Sequence, residues 1–305
     1  MDFTSFAELV KSEVIQKVGN DCRVQLNDVR KTNGIVLKGL TITQGNCNIS
    51  PTIYLNNHFT DYVSGKSTLS DIINTVLDTY NRNKIDQCVN MRFFLNYGDI
   101  KERVIYKLIN TERNKELLED IPHIEFMDLS IVFQCLVSQD ELGLSSILIH
   151  NSHLKLWGIS AKELYEVAKE NTPRLLKYEI KGMAEVLCSI MQEESPNQSD
   201  SDDCMMNLSN NILMYVLSNR YKVEGAACIL YPHVLSDFAD TIGSNLYIIP
   251  SSIHEVLLLP AENDAEFAEI KSMIKEINDT QVSAEELLSY SLYYFDKKTG
   301  KISML

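Results

Sequence analysis

The chain has 305 residues, 45% of them hydrophobic and 23% charged, which is an ordinary globular composition with length for one large domain or two smaller ones. A formal net charge of −14 repels phosphate backbones and disfavours direct nucleic-acid binding. Seven widely spaced cysteines with no Cys-x-x-Cys pair argue for free thiols in a reducing compartment, not a disulfide framework. Met1-Asp-Phe-Thr-Ser-Phe-Ala-Glu8 lacks the basic and apolar regions of a signal peptide, and no apolar run approaches the ~20 residues that span a bilayer. The expectation is a cytoplasmic protein that makes no membrane contact.

In chain order, Phe3, Phe6, Val10, Val14 and Val18 recur at helical spacing, and Ser5 with Glu8 has the pattern of a capping box. Val24, Leu26 and Val29 then face Ile35, Leu37 and Leu40 across Asn33-Gly34, the pair that best tolerates the positive φ of a tight hairpin turn. A third strand is expected over 49–55, helices over 59–63 and 69–80, and a strand over 91–95. The recurrence of Val104, Ile105, Leu108, Ile109, Leu117 and Leu118 predicts a long helix over 100–118. Together these make an N-terminal module of residues 1–122, a helix and hairpin followed by helices.

Residues 123–305 carry an internal echo. Gly143-Leu-Ser-Ser-Ile-Leu-Ile149 resembles Gly225-Ala-Ala-Cys-Ile-Leu-Tyr231, and Ile131-Val-Phe-Gln-Cys135 resembles Leu213-Met-Tyr-Val-Leu217 at the same offset. The first unit is predicted as strands 129–137 and 144–149 and a helix 161–170, started by a Ser160/Glu163 capping box and stopped by Asn171-Thr172-Pro173. A helix over 179–192 leads to an acidic, Ser-rich stretch at 193–210 with the composition of a mobile loop. The second unit is predicted as strands 212–217 and 226–231, a helix 233–242, and strands 246–249 and 253–259. A helix over 264–277, a short helix capped by Ser283 and Glu286, and a hairpin of 290–295 with 301–304 end the chain. The expected class is α+β: mainly antiparallel sheets with helices on one face, containing two related ββα units.

Four stretches invite chemistry. Gly65-Lys-Ser67 lacks the second glycine of a phosphate loop, since position 60 is Thr, and is expected to be a turn before a helix. His150 and His153 are the candidate metal ligands, but a site needs a third or fourth donor, and the sequence requires none nearby. Neither a metal nor a cofactor is expected. Ser251, Ser252, His254 and Glu255 follow a buried strand and Pro250, where a hydroxyl, an imidazole and a carboxylate could meet. Ser252 and His254, two apart on a strand, share a face without a guaranteed bond, and no Gly-x-Ser-x-Gly elbow is present. Cys228 has apolar neighbours that make a thiol inert unless an imidazole folds over it.

The blocks Asn33-Gly-Ile-Val-Leu-Lys-Gly-Leu-Thr-Ile42, Ile49-Ser-Pro-Thr-Ile-Tyr-Leu55, Lys107-Leu-Ile-Asn110, Ala168-Lys-Glu-Asn-Thr-Pro173, Met214-Tyr-Val-Leu-Ser-Asn219, Gly225-Ala-Ala-Cys-Ile-Leu-Tyr-Pro232 and Ile249-Pro-Ser-Ser-Ile-His-Glu-Val256 resemble a family of bacterial domains of unknown function, common in many copies in anaerobic gut bacteria. The resemblance spans nearly the whole chain. It implies one full-length architecture in a bacterial cytoplasm and transfers no catalytic residue. By analogy with other multi-copy families, it places the protein in conflict with phage or mobile elements. The favoured expectation is a non-catalytic binding or regulatory protein acting through protein contacts, whose acidic surface suits a basic partner. The alternative is a hydrolase-like enzyme with Ser252, His254 and Glu255 in a cleft between the two repeat units and Cys228 nearby.

Overall fold

A computed structural model describes residues 1–19, 21–45, 47, 50–84, 91–140, 143–194, 214–261 and 267–305. The acidic stretch at 195–213 and the start of the expected 264–277 helix lie outside the described residues. The chain divides into two compact units, Met1–Phe93 and Phe94–Leu305.

In the first unit the helix Phe3–Val18 is capped by Asp2, whose carboxylate accepts the N–H of Ser5 at 2.9 Å, so the cap lies one turn earlier than the Ser5/Glu8 pattern suggests. Strands β1 (Cys22–Arg30), β2 (Val36–Gln44) and β3 (Thr52–Tyr54) form an antiparallel sheet in that order. The register pairs Val24 with Ile42, Leu26 with Leu40, and Leu40 with Ile53, so one face is apolar. That face packs with Phe6, Val10 and Val14 and with Ile72, Ile73 and Val76 of the helix Leu69–Asn83. The hairpin turns at Asn33 and Gly34, with φ of 62° and 70°, as the sequence predicts. Gly65-Lys-Ser67 is a turn: the N–H groups of Lys66 and Ser67 both point to the Asp61 carbonyl, and Thr68 caps the next helix.

The second unit holds two sheets. Strand β4 (Val104–Asn110) pairs with β6 (Leu129–Asp140), which also pairs with β5 (His123–Phe126) and β7 (Gly143–Leu148). The expected long helix over 100–118 is thus a strand flanked by short helical turns. Its apolar positions follow no helical stripe because the strand is buried on both faces, which erases the period-two alternation. This pairing also moves the boundary between units to Phe93 from Pro122, since β4 cannot be separated from β6. The expected strand at 91–95 is a 3-10 turn, Met91–Leu95.

The helix Ala161–Leu175 has the predicted Ser160/Glu163 capping box, but it runs through Pro173 instead of stopping at it. Pro173 has no N–H to give the Lys169 carbonyl, so one rung of the last turn is lost, while Leu176 N–H still closes on the Thr172 carbonyl. The polar residues before it close the free edge of β4. Thr172 Oγ1 accepts the Tyr106 N–H at 3.0 Å, and Asn171 Nδ2 donates to the carbonyls of Lys101 and Val104.

The larger sheet contains β8 (Tyr178–Gly182), β9 (Tyr215–Asn219), β10 (Leu246–Ile249), β11 (Val256–Pro260), β12 (Tyr293–Asp296) and β13 (Lys301–Met304). Their order in the antiparallel sheet is β13-β12-β10-β11-β9-β8. Tyr247 and Ile249 of one face pack under Ile270 and Ile274 of the helix Phe267–Thr280. On the opposite face Tyr215, in register with Leu258, meets Phe238 of the helix Val234–Ile242 at 4.9 Å between ring centroids. Helices therefore cover both faces of this sheet, not one.

Among the described residues the expected pair of ββα units is matched only in part, since Ile131–Cys135 and the described end of its counterpart are both strand. Gly143–Leu148 is a strand, whereas its sequence counterpart Gly225–Leu230 is a 3-10 helix. Likewise the first third of the expected 179–192 helix is β8, with the helix Met183–Glu194 after it, and Ser283 to Glu286 make a single turn.

Candidate functional site

The segment Pro250 to Glu255 lies between the loop 219–225 and the turn that carries Glu286. Asn219, 1% exposed, organises the loop from inside: its Oδ1 accepts the Tyr221 N–H at 3.0 Å and its Nδ2 donates to the Val223 carbonyl at 2.7 Å. Lys222 and Glu224 have φ of 53° and 55°, a left-handed backbone that non-glycine residues take only when their surroundings hold them there. Gly225 follows at a close approach. A Cβ there would sit 2.2 Å from Ser218 Oγ and 2.5 Å from the His254 carbonyl oxygen.

Three bonds then stitch the loop to the 250–255 segment. Ser218 Oγ donates to the His254 carbonyl at 2.7 Å, Glu224 N–H donates to His254 Nδ1 at 3.2 Å, and Ala226 N–H donates to the Ile253 carbonyl at 3.2 Å. From the other side Ile253 N–H donates to the Glu286 carbonyl and Leu288 N–H to the Ser251 carbonyl. The Glu224 carboxylate reaches Lys107 Nζ on β4 at 2.5 Å and Gln134 Nε2 on β6 at 3.3 Å. Both partners of this ion pair are more than four-fifths buried, and removal of either would strand the other's charge.

Ser252, His254 and Glu255 are brought together, yet not as a nucleophile and its base. A ring nitrogen that accepts an N–H bears no hydrogen, so His254 carries its hydrogen on Nε2, which lies 3.4 Å from Glu286 Oε1. Among the described residues, neither ring nitrogen meets a hydroxyl. Ser252 Oγ accepts the His254 main-chain N–H at 3.0 Å. Burial pushes the Glu255 carboxyl above its ordinary range, against the opposing pull of His254. Cys228 is fully buried in the 3-10 helix Gly225–Leu230, and desolvation pushes its thiol up to about 12, so no thiolate forms near neutral pH.

His150 and His153 also have structural work. His150 Nδ1 is 2.7 Å from Asp120 Oδ2, and His153 Nδ1 accepts the His150 N–H at 3.0 Å. The His153 ring stacks on Trp157 at 5.6 Å, and its burial lowers its affinity for a proton. No group of three or more His, Cys, Asp or Glu side chains that could hold a metal occurs among the described residues.

Two open grooves bear on where a site could lie. One, of about 510 Å³, is lined by Lys271, Lys275, Asp279, Tyr290, Ser291 and Leu305. Its chemistry is spent internally, since Asp279 takes both Lys275 and the Tyr290 hydroxyl. The other, of about 470 Å³, runs along β8 past Pro173, Lys177, Tyr178, Arg220, Tyr231 and Pro232. Neither Lys177 nor Arg220 has an acidic partner among the described residues. The sequence hides this groove, because its two cations lie 43 positions apart and meet only when Arg220 N–H pairs with the Lys177 carbonyl at 3.0 Å (220 − 177 = 43). Lys107 and Glu224 were missed for a related reason; the one available signal was a lone charge inside the apolar run Val104 to Ile109.

The architecture defines a two-unit α+β protein whose polar candidates mostly serve the fold. Residues 3–297 match the model of a family of unknown function, DUF5688, and the chain belongs to that family. No curated protein and no solved structure matches it. No described helix is long and apolar enough to cross a membrane.

Proposed function

We propose that the protein is a non-catalytic binding or regulatory protein that acts through protein contacts. The observation that carries this reading is a division of labour among its polar groups. Ser252, His254 and Cys228 are engaged by main chain or buried, whereas Lys177 and Arg220 line an open groove with no acidic partner among the described residues. A catalytic site leaves its reactive atoms open to substrate; a docking surface leaves its cations and sheet edges open to a partner. The net charge of −14 draws basic proteins at long range, and the docking point is decided by local groups. The setting of this contact is proposed to be the cytoplasm, in conflict with phage or mobile elements.

Two experiments test the reading. Fluorophosphonate and iodoacetamide probes on the native protein are expected to leave Ser252 and Cys228 unlabelled. Cross-linking in the producing cell, with and without phage, is expected to yield defined partner adducts. Labelling of Ser252 that depends on His254 would overturn the reading in favour of a hydrolase.

A further inference from the structure

We propose that the outer edge of β8 accepts an extended acidic peptide of a partner protein as an added strand; this rests on the protein-contact reading and names its surface. β8 is the terminal strand of the six-stranded sheet. Its ladder to β9 fixes which groups point outward. Arg220 N–H donates to the Lys177 carbonyl and Met183 N–H to the Met214 carbonyl, so residues 177, 179, 181 and 183 turn their main-chain groups to β9. By alternation, the N–H and C=O groups of Tyr178, Ile180 and Gly182 face away from the sheet. Among the described residues, no turn, loop or cap bond takes the outward groups of Tyr178 and Ile180, and Gly182, next to the helix Met183–Glu194, adds an outward N–H. An unpaired row of this kind is a template for another strand.

Charge selects the occupant. Lys177 and Arg220 stand together at the Tyr178 end of β8, while the neighbouring Glu179 is compensated by Lys181 at 3.2 Å. A net positive corner in an acidic chain matches a carboxylate on the arriving strand. Beside it, exposed Tyr178 and Pro232 give the groove apolar walls for the alternate side chains of that strand. A basic peptide would meet the same hydrogen-bonding row but the wrong corner.

The test is fluorescence anisotropy on the full chain with a labelled peptide of alternating valine and glutamate, against its valine–lysine counterpart. The glutamate peptide should bind at least about ten-fold more tightly, and the preference should shrink as salt rises. The Lys177→Glu/Arg220→Glu double variant should reverse the preference. Gly182→Pro removes one outward N–H, at a site where an added Cβ meets open space, and should weaken glutamate-peptide binding while leaving the melting temperature near wild type. Equal binding of both peptides, or binding indifferent to Gly182→Pro, would overturn the strand-addition model. If partner adducts in the cell survive the double variant, protein contact stands and this surface is wrong; if wild type gives no adducts, the wider reading fails instead.

Discussion

The main-chain N–H of Glu224 donates to Nδ1 of His254 across 3.2 Å, joining positions 30 apart in sequence. The bond holds a left-handed residue in place and takes the imidazole nitrogen that a neighbouring hydroxyl would need. His254→Ala should therefore cost stability, about 1 kcal/mol for a stranded, partly buried donor. His254→Asn, which can present an oxygen near the position of Nδ1, should recover part of that loss. Chemical denaturation of the two variants checks the order; equal losses would mean that the acceptor does not matter.

Gly225→Ala should be among the most damaging small substitutions in the chain. The new methyl would lie 2.5 Å from the His254 carbonyl oxygen and 2.6 Å from the Asn219 nitrogen, both main-chain atoms that cannot step aside. Overpacking of this sort costs about 1–3 kcal/mol or more. Adding Ser218→Ala relieves only the side-chain contact, so the double variant should stay unstable in thermal melts.

Glu255 gives the site a pH dependence with a definite sign. Burial raises its folded-state pKa above 4.5, so its contribution to stability is fully present below that value and is lost as pH rises through the raised one. Glu255→Gln keeps the size of the side chain and cannot ionise. The variant's stability relative to wild type should climb across that window and level off above it, as measured by denaturation at a series of pH values.

Thr172→Val keeps the shape of the side chain but removes the acceptor for the Tyr106 N–H on the edge of β4. The unpaired amide should cost about 1–3 kcal/mol. Hydrogen exchange should speed at Tyr106 more than at Leu108, which lies further along the same strand.

Thiol labelling should rank the cysteines by burial. Cys22 and Cys47, half-buried, should react with iodoacetamide in the native protein before Cys135 and Cys228, whose thiols burial pushes up to about 11 and 12. Mass spectrometry of partially labelled protein reads the order directly.

The first unit was almost wholly legible in the sequence because its signals are local: a helix with an apolar stripe, and a hairpin marked by Asn33-Gly34. The second unit was less so. Val104 to Asn110 is apolar all round, and such a run fits a buried strand as well as it fits a helix. The likeness of Gly143–Leu148 to Gly225–Leu230 misled because composition repeats where context does not. One stretch pairs along β6, while the other is pinned as a 3-10 turn beneath Ile253 and Tyr231. Ser252, His254 and Glu255 are neighbours in the sequence, but what surrounds them depends on Asn219, Glu224 and Glu286, which no spacing rule connects to them.

The order of strands in the larger sheet has a consequence for how the protein is made. β10 lies between β11 and β12, and both follow it in the chain. During synthesis, Leu246–Ile249 leaves the ribosome as a wholly apolar strand with two bare edges. One edge must wait for Tyr293–Asp296, more than forty residues later (293 − 249 = 44). At a few residues per second or faster, that interval lasts seconds. It is the period in which a chaperone has most to protect, and in which a stalled or shortened chain has most to aggregate with.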